Sequence, residues 1–184
     1  KYAHSPYVES VAAPSVRGNP KAPVLIAEFA DYECPYCQNM VPEIEKVLAH
    51  YGDKVAFAFK DFPLPSHRNA PKASEATYCA GDQGKYWEYH DFLFASKQVT
   101  LADLKSHARK LNLNAAAFDQ CLDSSKYAPR IKSAFIEAQN FSLSGTPVFF
   151  VNGRMFQGGM DFADFSKIID EELKLPAAVA TAGR

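Results

Sequence analysis

Apolar residues along the chain follow two different spacings, which divide it into strand-like and helix-like segments. Mostly apolar runs at 24–29, 54–59 and Val148–Val151 predict buried strands. Between these runs the apolar positions recur at helical spacing. Helices are predicted over 35–51, 70–80, 86–95 and 128–141, with two more that begin at Thr100, where Asp103 provides a partial capping box, and after Asn114.

Turn-forming residues mark where the outer elements begin and end. Asn152-Gly153 after the third run predicts a hairpin turn, and Gly158-Gly159 ends the strand that follows it. Asp161 is expected to cap a final helix. Pro42 lies inside the helix predicted over 35–51 and should kink it. Residues 1–20 are predicted as an extended lead-in with one edge strand, and residues 176–184 as a loose tail.

The resulting order is strand, helix, strand, a block of helices, two strands joined by a hairpin, and a helix. This order predicts an α/β fold whose sheet is interrupted along the chain by helices. The 184 residues, 47% of them apolar, suffice for one domain that carries an insertion. The net charge of -1 provides neither a basic stripe for nucleic acid nor a polybasic membrane patch. We therefore expect a soluble protein without nucleic-acid partners.

The most informative motif is Cys34-Pro35-Tyr36-Cys37, which places two thiols one helical turn apart between a strand and a helix. Backbone N–H groups at a helix start favour a thiolate, so the pKa of Cys34 should fall below the usual ~8.5. Cys34 is the predicted nucleophile. Cys37 lies deeper in the helix and is the predicted resolving thiol, which attacks a mixed disulfide and releases the substrate.

Two alternatives concern the cysteines. A C-x-x-C pair can be half of a zinc site, but no second pair and no suitably spaced histidines accompany it, so no metal site is predicted. Cys79 and Cys121 lie singly in helix-like segments. They form either a structural disulfide, which suits an oxidising compartment, or two buried free thiols.

Three runs make the chain similar to DsbA-like thiol:disulfide oxidoreductases of the thioredoxin-fold superfamily. They are residues 28–32 (EFADY) before the cysteines, residues 83–88 (QGKYWE), and Gly145-Thr146-Pro147. The long interval from Cys37 to Pro147 matches DsbA proteins, which insert helices there, and not thioredoxins or glutaredoxins. The resemblance implies a thioredoxin fold with a helical insertion domain between the second core strand and the cis-Pro strand. It assigns 21–65 and 142–175 to the thioredoxin-like domain and 66–141 to the insertion.

The same resemblance implies roles for residues outside the cysteine pair. Pro147 is expected to be cis and to face the cysteines, while Thr146, Pro35 and Tyr36 are expected to contact an extended substrate peptide. Glu28 corresponds to a buried acidic residue beneath the disulfide, where it can relay a proton.

Two further residues near the motif are treated separately. Lys60 is a candidate ion-pair partner of Glu28, because it ends the second predicted strand. His67 follows the Pro-Leu-Pro turn and could lie near the cysteines, but a lone loop histidine is more often exposed or a local cap, so it is not counted as catalytic.

The leading functional hypothesis is a periplasmic or otherwise extracytoplasmic oxidase, whose signal peptide has been removed from the chain that begins at Lys1. It would donate its disulfide to folding proteins and be reoxidised by a membrane partner of the DsbB type. It is expected to be a monomer without a cofactor. Tyr36 stands where the most oxidising relatives carry histidine, so a milder oxidant is expected. The alternatives are a disulfide reductase or isomerase of the same fold, or a non-enzymatic module that binds a soft metal or a protein.

Overall fold

The computed structural model describes residues 15–174, in which a five-stranded sheet forms the centre. The strands are β1 (Val16–Gly18), β2 (Val24–Ala30), β3 (Val55–Asp61), β4 (Val148–Val151) and β5 (Arg154–Gln157). Their order in the sheet is β1-β3-β2-β4-β5, with β2 parallel to β3 and the other pairs antiparallel. The mixed α/β thioredoxin fold is therefore confirmed. The predicted tail 176–184 and most of the lead-in lie outside the described residues.

Eight α-helices accompany the sheet in the described part of the chain. They are α1 (Pro35–Gln38), α2 (Val41–Tyr51), α3 (Ala70–Gly81), α4 (Tyr86–Ser96), α5 (Leu101–Lys110), α6 (Ala115–Asp123), α7 (Ala128–Asn140) and α8 (Phe162–Lys174). Helices α3 to α7 follow one another between β3 and β4, in the segment predicted as an insertion. The domain boundaries themselves remain a prediction.

The two central strands are buried on both faces, which explains why they are nearly continuous apolar runs. One face carries Ile26, Phe57 and Phe149, which pack in the same cluster as residues of α2 and α8. The other face carries Phe29 and Phe150, which pack in a second cluster with Ala138 of α7. Because side chains alternate along a strand, Glu28 lies on the first face and Phe29 on the second.

The helix predicted over 35–51 is broken and not merely kinked. Helix α1 ends at Gln38, and α2 begins at Val41 with Pro42 in its first turn. Proline has no N–H and its ring clashes with the preceding turn, so it is tolerated only near a helix start. The break leaves Cys34 and Cys37 on a separate four-residue helix that joins β2 to α2.

Local capping signals explain where three of the other helices begin. Thr100 and Asp103 form a complete capping box at the start of α5, because each side chain accepts a hydrogen bond from the other residue's backbone N–H. Asn114 caps α6 through the N–H of Ala117. Asp161 accepts a hydrogen bond from the N–H of Asp164 in the first turn of α8.

Candidate active site

Cys34 occupies the N-cap of α1, at the end of a turn that begins where β2 stops. Its N–H donates to the carbonyl oxygen of Asp31 over 3.1 Å, and its carbonyl oxygen accepts from the N–H of Gln38 over 3.1 Å. Both Cys34 and Cys37 are free thiols, with 3% and 1% of their surface exposed. The N-cap position of Cys34 confirms the predicted helix start.

The surroundings of the two thiols shift their pKa values in opposite directions. A hydrogen bond from the Cys37 thiol, which has the largest effect, and the N–H groups of Cys37 and Tyr36 help to lower the pKa of Cys34 to about 5, against the opposing effect of burial. A four-residue helix has a small macrodipole, so these nearby donors are the main local stabilisers of the thiolate. Burial, the bond to Cys34 and the charge of Glu28 raise the pKa of Cys37 far above that of a free thiol. This asymmetry favours attack by Cys34.

Thr146 and Pro147 face the cysteine pair from the loop before β4. Their peptide bond is cis, as the resemblance implies, and the carbonyl oxygen of Thr146 lies 3.6 Å from Sγ of Cys34. The side chain of Thr146 also lowers the pKa of Cys34. Pro147 is buried, and its carbonyl oxygen accepts a hydrogen bond from the N–H of Gly158 after β5. The loop is thus held at the sheet edge beside Cys34.

Pro35 and Tyr36 form the outer surface of the motif. Pro35 is exposed, and Tyr36, at 70%, is more exposed than any other large apolar side chain in residues 15–174. An exposed aromatic ring beside a reactive sulfur is a suitable contact for the apolar part of a peptide. The structure therefore leaves both residues accessible to a substrate, and their predicted role in binding stays a prediction.

Glu28 lies beneath the motif on β2, with only 4% of its surface exposed. Burial, together with the nearby Cys34 charge, raises the pKa of its carboxyl group to about 8. Its Oε1 atom is buried and has no hydrogen-bond partner among the described residues. A carboxyl group that is largely protonated at neutral pH and lies near both sulfurs can donate or accept a proton during exchange.

Lys60 does not pair with Glu28, which corrects the expectation from the sequence. The sheet register places Lys60 opposite Phe29 and places Glu28 opposite Phe59. Lys60 therefore points to the other face of the sheet, where its Nζ atom lies 2.7 Å from a carboxylate oxygen of Glu137 on α7. Since side chains alternate with a period of two, one residue of register decides which face receives the charge.

Replacing Glu28 with glutamine is expected to alter how stability depends on pH in the dithiol protein. The unfolded carboxyl group titrates near 4.5 and the folded one near 8, so between these values only the folded state holds the proton. Wild-type stability should therefore fall relative to the Glu28→Gln protein as pH rises from about 5 to about 8, by on the order of a few kcal/mol. Urea unfolding under reducing conditions measures this difference, with exposed Glu45→Gln as the control. A difference that does not change with pH would contradict the buried titration.

Two acidic residues that precede Cys34 tie the active-site turn to the loop after β3, and the sequence alone did not reveal this. Oδ1 of Asp31 accepts the N–H of Glu33, and Oδ2 accepts the N–H of Leu64 over 2.7 Å and lies 2.8 Å from Nδ1 of His67. Glu33 Oε2 accepts the N–H groups of Asn69 and Ala70 at the start of α3. The contacts with Leu64 and Asn69 join segments more than thirty residues apart. The spacing of apolar residues along the chain does not predict contacts at such a sequence separation.

Cys79 and Cys121 are joined by a disulfide between α3 and α6. Within residues 15–174, no group of three or more histidine, cysteine, aspartate or glutamate side chains is placed to hold a metal ion. In that same part of the chain, no helix combines the length and apolar character needed to cross a membrane.

Comparison with known proteins places these features in context. A thioredoxin family model matches residues 10–171. Two solved structures overlay with a TM-score of 0.77 at 25% sequence identity: alpha-DsbA1 from Wolbachia pipientis and oxidised BdbD from Bacillus subtilis. The overlays cover 89% of this chain and 93% of the first protein, and 88% of this chain and 93% of the second.

Curated relatives are much longer proteins. The Na(+)/H(+) antiporter NhaA 1 of Salinispora arenicola is 37% identical over 156 residues, which are 84% of this chain and 24% of that protein. The chain thus spans about a quarter of the length of the curated relatives it matches.

Proposed function

Because the chain belongs to the thioredoxin family and is a DsbA-like thiol:disulfide oxidoreductase, we propose that it works as an oxidase that donates its Cys34–Cys37 disulfide to other polypeptides. The observation that carries the proposal is the low pKa of Cys34, about 5. A stabilised thiolate exists only in the reduced protein, so it makes the disulfide a stronger oxidant. At neutral pH the effect is on the order of tens of millivolts.

The exchange proceeds in two steps. A thiolate of the client polypeptide attacks Sγ of Cys34, the Cys34–Cys37 bond breaks, and Cys37 leaves. Since its pKa is raised, Cys37 needs a proton, which the largely protonated Glu28 is able to supply. A second client thiolate then attacks the client sulfur of the mixed disulfide, which forms the client disulfide and releases Cys34 as a thiolate. The client loses two electrons and this protein gains them.

The loop at Thr146 and Pro147 supports a role in binding the client. The Thr146 carbonyl lies beside Cys34, and an extended peptide that pairs with this backbone would present its cysteine to the same sulfur. Main-chain pairing depends little on side chains, so it suits clients of varied sequence. We expect these clients to be reduced or folding proteins.

The compartment and the source of oxidising equivalents belong to the same proposal. A structural disulfide at Cys79–Cys121 is typical of proteins outside the reducing cytosol, which supports an extracytoplasmic location. After each turnover the dithiol has to pass two electrons and two protons to an acceptor. We propose a membrane protein of the DsbB type as that acceptor.

A reductase is the second candidate, and the exposed Tyr36 favours it. A neutral phenol between the cysteines adds no positive charge beside the Cys34 thiolate, which makes the disulfide a weaker oxidant than a histidine would.

The reduction potential in glutathione buffers, measured together with oxidation of a dithiol peptide, separates the two candidates. An oxidase is expected at or above about -180 mV, the value typical of protein disulfide isomerase, with net oxidation of the peptide. A potential close to the about -270 mV of thioredoxin, with faster reduction of disulfides than oxidation of thiols, would favour the reductase.

A further inference from the structure

The turn that carries Cys34 contains two carboxylates, and each is held by donors from the segment after β3. The side chain of Asp31 is completely buried, and it is held by the N–H groups of Glu33 and Leu64 and by the imidazole of His67. The carboxylate of Glu33 binds backbone N–H groups at the start of α3. Negative charges this close to Cys34 oppose its thiolate unless positive groups balance them.

His67 is the titratable group that can provide this balance on the Asp31 side. Its side chain is 25% exposed, so a proton from solvent can reach it, and its Nδ1 atom lies 2.8 Å from Oδ2 of Asp31. Burial lowers the pKa of His67, but the hydrogen bond and charge of Asp31, with the charges of Glu33 and Cys34, raise it overall. Because the interaction between two charges is mutual, a charged His67 favours the Cys34 thiolate in return.

Other charged groups lie on the outer side of His67. The imidazole lines an open cleft of about 430 Å³, whose wall also includes Arg68, Glu75 of α3 and Lys132 of α7. Glu75 forms an ion pair with Lys72, 3.0 Å away. The inner side of the ring is thus occupied by Asp31, and the outer side opens to a cleft with charges of both signs.

We propose that His67 is a positioning residue for the exchange reaction: its imidazole, held 2.8 Å from Oδ2 of Asp31, balances the buried negative charge of the turn that carries Cys34 and so favours the Cys34 thiolate. The inference rests on the proposed function and adds a residue that sets its strength. The positive group near the Cys34 thiolate is thus provided by the loop after β3, because Tyr36 within the motif carries no positive charge. When the protein accepts two electrons, the disulfide becomes one thiolate and one thiol, and the new negative charge forms within the field of His67.

The first test compares His67→Asn with wild type. Asparagine can place an amide N–H where Nδ1 was, so it can retain the bond to Asp31 while removing the charge. We expect the pKa of Cys34, followed by thiolate ultraviolet absorbance, to rise. The equilibrium constant for reduction of the protein disulfide by two glutathione molecules, which yields one glutathione disulfide, should fall roughly three- to tenfold.

His50→Asn, on the exposed side of α2 against Tyr51 and Phe162, is the matched control. An unchanged Cys34 pKa together with an unchanged constant in a folded His67→Asn protein would overturn the proposal.

The second test needs no substitution at His67. The thiolate is present only in the dithiol form, so the pKa of the His67 imidazole, measured by NMR, should be lower in the disulfide form. An equal value in both forms would contradict the counter-charge role. These outcomes do not depend on the proposed direction of electron flow. A wild-type potential near that of thioredoxin would reject the function as an oxidase. The effect of His67→Asn on the Cys34 pKa, and the difference in His67 pKa between the two redox forms, would still be expected.

Discussion

The Cys37→Ser protein is expected to accumulate mixed disulfides with client polypeptides through Cys34, whereas the Cys34→Ser protein should lose exchange. With a pKa of about 5, Cys34 is almost fully ionised at neutral pH, while Cys37 is held as a thiol by burial and by the charges of Glu28 and Cys34. Without Cys37 the intermediate cannot return to the Cys34–Cys37 disulfide, so it persists until a second client thiol attacks it. Without Cys34 the remaining thiol has so small a thiolate fraction that exchange should fall roughly a thousandfold or more.

Both variants can be followed with a reduced, unfolded polypeptide presented to proteins activated with a glutathione or aromatic disulfide. Non-reducing electrophoresis and peptide mass spectrometry identify the trapped sulfur. The double variant Cys34→Ser/Cys37→Ser, which retains Cys79 and Cys121, controls for exchange through the structural disulfide. A Cys37→Ser protein that formed no adduct, or adducts through Cys121, would show that the nucleophile has been assigned wrongly.

Local sequence signals account for most of the elements and for the position of the nucleophile. The helix beginning at Thr100 follows from a capping pattern of four residues, and the strand Val148–Val151 from an apolar run beside an Asn-Gly turn. Cys34 at a helix start likewise follows from its immediate neighbours. In each case the interactions that fix the structure are made within a few residues of the chain.

The features that the sequence did not predict depend on contacts between distant segments. Lys60 was expected near Glu28, but its face is decided by the register of β2 against β3, which no local pattern specifies. The bonds of Asp31 and Glu33 to residues 64–70 depend on how a loop closes over the active-site turn. For the same reason the sequence does not predict the partner of His67, which is an aspartate in the turn that carries Cys34.

Removing the Cys79–Cys121 disulfide is expected to destabilise the protein strongly while leaving the exchange chemistry intact. The disulfide closes a loop of 42 residues, and constraining a loop of that length in the unfolded chain contributes up to ~4 kcal/mol. The double variant Cys79→Ala/Cys121→Ala should lose a similar amount, measured by urea unfolding of the oxidised protein. At moderate temperature its rate of peptide oxidation should stay close to that of wild type, because both cysteines lie in the helical segment and neither contributes to the stabilisation of the Cys34 thiolate.

A comparison of wild type and the double variant under reducing conditions separates the effect of the crosslink from that of the side chains. Cys79 is 1% exposed, so part of the free energy of unfolding lost in the double variant comes from side-chain packing. This part should remain when wild type and variant are compared after full reduction and blocking of the thiols. The contribution of the crosslink is then the part of the stability difference between wild type and variant that disappears on reduction. If wild type and the double variant unfolded at the same urea concentration under oxidising conditions, the disulfide would not stabilise the helical segment, and its support for an extracytoplasmic location would be lost. If the variant instead lost peptide oxidation while still folded, α3 and α6 would have to act on Cys34 through the loop that Asp31 and Glu33 hold.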